Sequence, residues 1–228
     1  MSRSIGSVGA RRLLLAASGG SVLFWYIPGA FIITYPIRLF VTLIHEAAHG
    51  AAAVLTGGIV HRISLAPSGS GLTETLGGMP LIIYPAGYLG AAATGAGLLL
   101  LTRRSRGRAT LVIMAALTLA ITVLWVRNLF GFGAGLGIAI ILAGLVRWLP
   151  ASGADFAASF LAVQLCLNAL LDVRSLVWLT TATEVPNDAV FMAQAFGLAP
   201  WFWAIAWSGI TLAILFAALK AYWRPARA

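Results

Sequence analysis

The stretch Thr42-Leu43-Ile44-His45-Glu46-Ala47-Ala48-His49-Gly50-Ala51 decides how this chain is read. Three ionisable side chains fall within five residues, between Leu43-Ile44 and the apolar run Ala51–Leu55. Residues 36–56 together are long and apolar enough for a membrane span, which needs about 20 residues. A charge inside such a span costs roughly 2.5–3.5 kcal/mol at mid-helix, so the cluster demands an explanation. On a helix, His45 and His49 lie one turn apart on the same face. Their imidazoles can share a zinc ion, and Glu46 beside them can reach a water on that metal without being a ligand. The chain has three histidines in all, and two of them stand here. The other readings of the pair are haem ligation and a purely structural role.

The rest of the chain fits that setting. Of its 228 residues, 61% are hydrophobic and 9% charged, with a mean hydropathy of +0.96. Soluble domains run at about 45–50% apolar and about 25% charged residues. The composition excludes an ordinary soluble globule, a disordered tail and a secreted disulfide scaffold. The expectation is an integral, multi-pass protein of the cell membrane. Cys166, the one cysteine, cannot form an internal disulfide. The net charge of +9 comes from basic residues scattered between apolar runs. Anchoring in a lipid bilayer explains that better than a nucleic-acid partner, and none is expected.

Seven segments are candidate spans: 13–33, 36–56, 79–101, 109–126, 128–147, 154–173 and 200–220. Gly19-Gly20 and Pro28-Gly29 interrupt the first, so six or seven helices cross. If all seven cross, the two sides carry six and eight basic residues; if the first does not, the split is eleven to three. The positive-inside rule prefers the second arrangement. Between spans, Ile59, His61, Ile63 and Leu65 alternate with Val60, Arg62 and Ser64. The turn signal Pro67-Ser-Gly-Ser-Gly71 and the alternating Leu72, Glu74 and Leu76 complete a β-hairpin at the membrane surface. The predicted fold is an all-α integral membrane helix bundle of six to seven transmembrane helices with this short hairpin. It forms a single domain over 1–228. Gly87, Gly90 and Gly95 and the run Gly131 to Gly137 read as close helix packing. Asn187 or Asp188 reads as the cap of a helix over Ala189–Phe196.

Catalytic zinc takes three protein ligands and a water. His61 falls on the hairpin, Glu74 and Glu184 in loops, and Asp155 beside a span. Asp172 closes the apolar run Phe156–Leu171, with Asn168 and Gln164 one and two turns earlier. Asp172 is therefore the expected third ligand, and Asp188 is the runner-up. Gln164, Asn168 and Thr42 are candidates to line a polar path.

The intramembrane His45-Glu46-Ala47-Ala48-His49, the hairpin after it and the later Leu171-Asp172 resemble the site-2 protease family of intramembrane zinc metallopeptidases. Ala86-Gly-Tyr-Leu-Gly90, Trp125-Val-Arg-Asn128 and Asn187-Asp188-Ala189 are similar to its compact branch without a PDZ domain. The resemblance covers roughly residues 36–215. It departs at the second motif, where Gln164-Leu-Cys-Leu-Asn-Ala-Leu-Leu171-Asp172-Val173 lacks both prolines and the final glycine of the family pattern. The resemblance implies zinc on His45, His49 and Asp172 with Glu46 as general base. It also implies a membrane-protein substrate, and it puts the hairpin on the cytosolic side. The Ile59–Leu65 strand is a candidate to hold an unwound substrate by strand addition. The rival reading is a catalytically inactive membrane scaffold or metal-binding protein that keeps the motif helix. Oligomeric state is not legible.

Overall fold

The computed structural model describes residues 31–103, 106–182 and 187–223, with scattered positions between 9 and 19; side chains are described except at 31–33 and 170–182. The elements in chain order are α1 (Phe31–Leu55), β1 (Ile59–Leu65), β2 (Gly71–Leu76), α2 (Pro80–Thr102), α3 (Gly107–Trp125), α4 (Leu129–Trp148), α5 (Ala151–Ala182), α6 (Asp188–Phe196) and α7 (Pro200–Trp223). The expected span over 13–33 lies largely outside the described residues.

Four helices, α2, α3, α4 and α7, are long and apolar enough to cross a membrane. Their outward faces carry Leu124, Ile140, Ile141, Leu212 and Phe216, all exposed. A large apolar surface of this kind suits lipid, not water. At 1.5 Å per residue, α1 and α5 reach about 37 Å and about 48 Å, also enough to cross. They are more polar because much of their surface faces protein. Leu39, Phe40, Val41, Leu43 and Ile44 of α1 are buried, as are Ala154, Ala158, Ala162 and Leu165 of α5. A polar group on such a helix meets other protein groups instead of acyl chains.

One core joins α1, the hairpin, α3, α5 and the second half of α2, around Leu43, Ile63, Leu111, Met114 and Leu165. A second, smaller core holds α6: Ala189 and Met192 are buried against Ala204 and Trp207, with Tyr84 and Tyr88 of α2 beside them. The helix ends gather at one pole. Asp155 accepts from Gly107 N at 2.8 Å, Arg108 donates to Leu149 O at 2.9 Å, and Arg103 donates to Ala221 O at 2.8 Å.

The hairpin expected between the spans is present, and it lies along α1. α1 closes at Gly57, whose φ of +86° suits glycine, with Gly58 N donating to Ala53 O at 2.8 Å. The chain then turns back along α1 instead of lying across the bundle's end. Tyr35, near the start of α1, donates to Pro67 O in the hairpin turn at 2.7 Å. Thr42 donates to Gly69 O at 2.9 Å. The strands pair antiparallel, with Ile59 opposite Leu76 and Leu65 opposite Gly71, and with a register shift between Val60 and Arg62. Seven residues of strand at about 3.3 Å each match roughly four turns of helix, so the hairpin can follow α1 for most of its length.

The far edge of β1 is also taken. Ile63 bridges to Val126, and Arg127 N donates to Ile63 O at 3.0 Å. The Asn128 amide clamps Leu65, accepting from its N–H at 3.1 Å and donating to its carbonyl at 2.7 Å. These contacts occupy the far edge of β1 at Ile63 and Leu65, whereas the outer edge of β2 has no strand partner among the described residues. Truncating Asn128 leaves two main-chain groups of Leu65 without these partners. Asn128→Ala should lower stability by about 2 kcal/mol, read as a lower melting temperature of the detergent-solubilised protein.

Candidate metal centre

His45, Glu46 and His49 occupy the middle of α1, where helical spacing sends the histidines one way and Glu46 another. Glu46 and His49 are buried, and His45 is nearly so. The His49 Nδ1 lies 2.7 Å from Ile83 O. A carbonyl only accepts, so Nδ1 carries the proton, and in the neutral imidazole Nε2 is then the nitrogen with the lone pair. That arrangement orients a metal-binding imidazole. His45 packs edge-on against Tyr88, with ring centres 4.7 Å apart, and Tyr88 in turn stacks on Trp207.

The third member of the group is Asp188. The two Nε2 atoms lie 3.1 Å apart, and Asp188 Oδ2 lies 3.6 Å from that of His45 and 3.4 Å from that of His49. Bonds of about 2.0–2.2 Å in tetrahedral geometry put neighbouring ligand atoms about 3.3–3.6 Å apart. The triangle is therefore of a size that could hold one metal ion. The position of α2 fits as well. A Cβ at Gly87 would overlap the Nε2 atoms of both histidines, so only glycine leaves the space between them open. Gly87 was expected to serve close helix packing, and the surface it packs against is this pair of imidazoles.

Asp188 reaches the histidines because its neighbour takes the capping duty. The Asn187 side chain accepts from Ala189 N and Val190 N at 3.0 and 3.2 Å, and it is the cap of α6. Asp188, the first helical residue, is left to point at α1, and the α6 N-terminus favours its negative charge. Burial of Ala189 and Met192 against α7 fixes where that terminus stands. Asp172, the expected third ligand, lies in the part of α5 whose side chains are outside the described residues. Among the described residues, Asp188 is the carboxylate that stands with both histidines in a group that could hold a metal ion. Adjacent Asn187 and Asp188 did carry a signal, since one residue suffices to cap a helix and the other is then spare.

Glu46 faces the hairpin. Thr73 Oγ1 of β2 lies 2.6 Å from Glu46 Oε2 and 2.9 Å from Glu46 O. A Cβ at Gly71, on the same face of β2, would stand 2.6 Å from Glu46 Cγ and Oε1. The strand is thus shaped around this carboxyl group. Thr42 anchors the turn. Asn168 donates to the Gln164 carbonyl of its own helix at 2.8 Å, and the Gln164 side chain is buried. His61 is exposed. Glu74 binds Arg62 at 2.7 Å and raises the pKa of that guanidinium.

Gly87→Ala should weaken zinc binding by about tenfold or more. Zinc content after dialysis against a graded chelator checks this, with circular dichroism showing that the helices persist.

Comparison with curated proteins and with solved structures returns no match. The family model described as Peptidase M50B-like matches residues 16–218, most of the chain, including His45, Glu46, His49, Thr73 and Asp188. The fold, the centre on α1 and this match lead to one conclusion: the chain belongs to the Peptidase M50B-like family, membrane metallopeptidases of the site-2 protease type.

Proposed function

We propose that this chain is an intramembrane zinc metallopeptidase. It would hydrolyse peptide bonds in or near transmembrane segments of membrane-protein substrates, as a multi-pass protein of the cell membrane. The observation that carries the reading is the triangle of His45, His49 and Asp188 on one side of α1, with Glu46 next in sequence and held by β2.

His45, His49 and Asp188 would hold the metal. A zinc ion bound there would lower the pKa of a water toward about 7 and polarise the scissile carbonyl. Glu46 would take the water proton on a carboxylate oxygen and pass it to the leaving amine. The carbonyls of a substrate helix are hydrogen-bonded and shielded, so the segment must unwind before attack. The outer edge of β2 offers it main-chain partners, one strand away from Glu46. Gln164 and Asn168 are candidates to line the path of water to the centre.

Zinc content and cleavage of a panel of single-span membrane proteins test the reading together. Glu46→Gln should keep zinc and abolish cleavage. Zinc binding with cleavage indifferent to Glu46, or with no cleavage at all, would favour an inactive scaffold that keeps the motif helix. Asp188→Asn should reduce zinc content sharply, and Asp172→Asn should not. The opposite pattern would return the third ligand to Asp172.

A further inference from the structure

We propose that Thr73 is a positioning residue, which fixes the carboxylate of Glu46 in the orientation needed to receive a proton. The proposal rests on the peptidase reading above and adds a residue from the hairpin to it. A threonine hydroxyl has one proton to donate. The 2.6 Å separation from Glu46 Oε2 is that of a hydroxyl donating to a charged carboxylate, and the main-chain oxygen of Glu46 is the more distant acceptor at 2.9 Å. With Oε2 occupied, Oε1 is the oxygen left to accept from elsewhere. Gly71 leaves room at that oxygen, since any Cβ there would stand 2.6 Å from it.

Attachment of the hairpin alone does not account for this contact. Tyr35 holds Pro67 and Thr42 holds Gly69, so the turn is already tied to α1 without Thr73. The contact joins a side chain of α1 to the strand whose outer edge has no strand partner among the described residues. A peptide that paired with β2 would therefore lie against the element that orients Glu46.

Two measurements on the full-length protein test this. The first is a difference infrared spectrum of wild type against Glu46→Gln, which isolates the Glu46 carboxylate band without any substrate. Thr73→Val should shift that band, and Thr73→Ser should restore it; an unshifted band in Thr73→Val overturns the proposal. The second uses the fastest-cleaved member of the single-span panel. Thr73→Val should lower kcat by about a hundredfold, with KM, zinc content and melting temperature close to wild type. Thr73→Ser should recover most of kcat. In a Glu46→Asp background, whose carboxylate is one methylene too short to reach Thr73, adding Thr73→Val should cost little more. Wild-type kcat in Thr73→Val, or a Thr73→Ser variant as impaired as Thr73→Val, overturns the proposal. If no reporter depends on Glu46, the peptidase reading fails, while the infrared band still decides whether Thr73 holds Glu46.

Discussion

Burying His45, Glu46 and His49 in the middle of an apolar helix obliges the surrounding elements to supply partners for them. An unsatisfied polar group in such a place costs several kcal/mol, and three in five residues cannot be left so. α2 brings the Ile83 carbonyl to His49, α6 brings Asp188 to both histidines, and β2 brings Thr73 to Glu46. Two glycines, Gly87 and Gly71, let the backbones come close enough to do this. Much of the fold around α1 is the set of elements that completes this helix.

The partners divide the polar stripe by function. The histidines turn toward α2 and α6, where Asp188 completes a group that could hold a metal ion. Glu46 turns toward the hairpin, where the Thr73 hydroxyl holds it. A metal ligand and a proton acceptor need different neighbours, and adjacent positions on a helix point about 100° apart. The register His-Glu-x-x-His uses that angle. The hairpin makes the separation possible because it runs along α1 from Gly58 back to Tyr35 and reaches Glu46 from the side.

Local sequence carried much of this. The apolar runs placed α2, α3, α4 and α7 within three residues of their observed ends, because lipid-facing helices must be apolar over their length; α1 starts five residues earlier and α5 ends nine residues later than its run suggested. The period of two located both strands. His45, Glu46 and His49 were legible because a charge in an apolar span needs a reason. Asp188 was harder. It stands at the head of a nine-residue helix, and its approach to α1 depends on Met192 and Trp207, distant in sequence, packing α6 onto α7. Thr73 left no signal at all, since a threonine in a strand is ordinary until the strand is seen to lie on Glu46. The path of the hairpin along α1 was not legible for a related reason: it depends on Tyr35 and Thr42 holding the turn to the helix it follows.

The central claim is that His45, His49 and Asp188 bind one metal ion. X-ray absorption at the zinc edge of the purified protein tests it most directly. The account predicts a first shell of nitrogen and oxygen at about 2.0–2.1 Å with the outer-shell signature of two imidazoles. In Asp188→Asn, any zinc retained should show a changed first shell. A site with no imidazole or only one, or a first shell unchanged in Asp188→Asn, would contradict it.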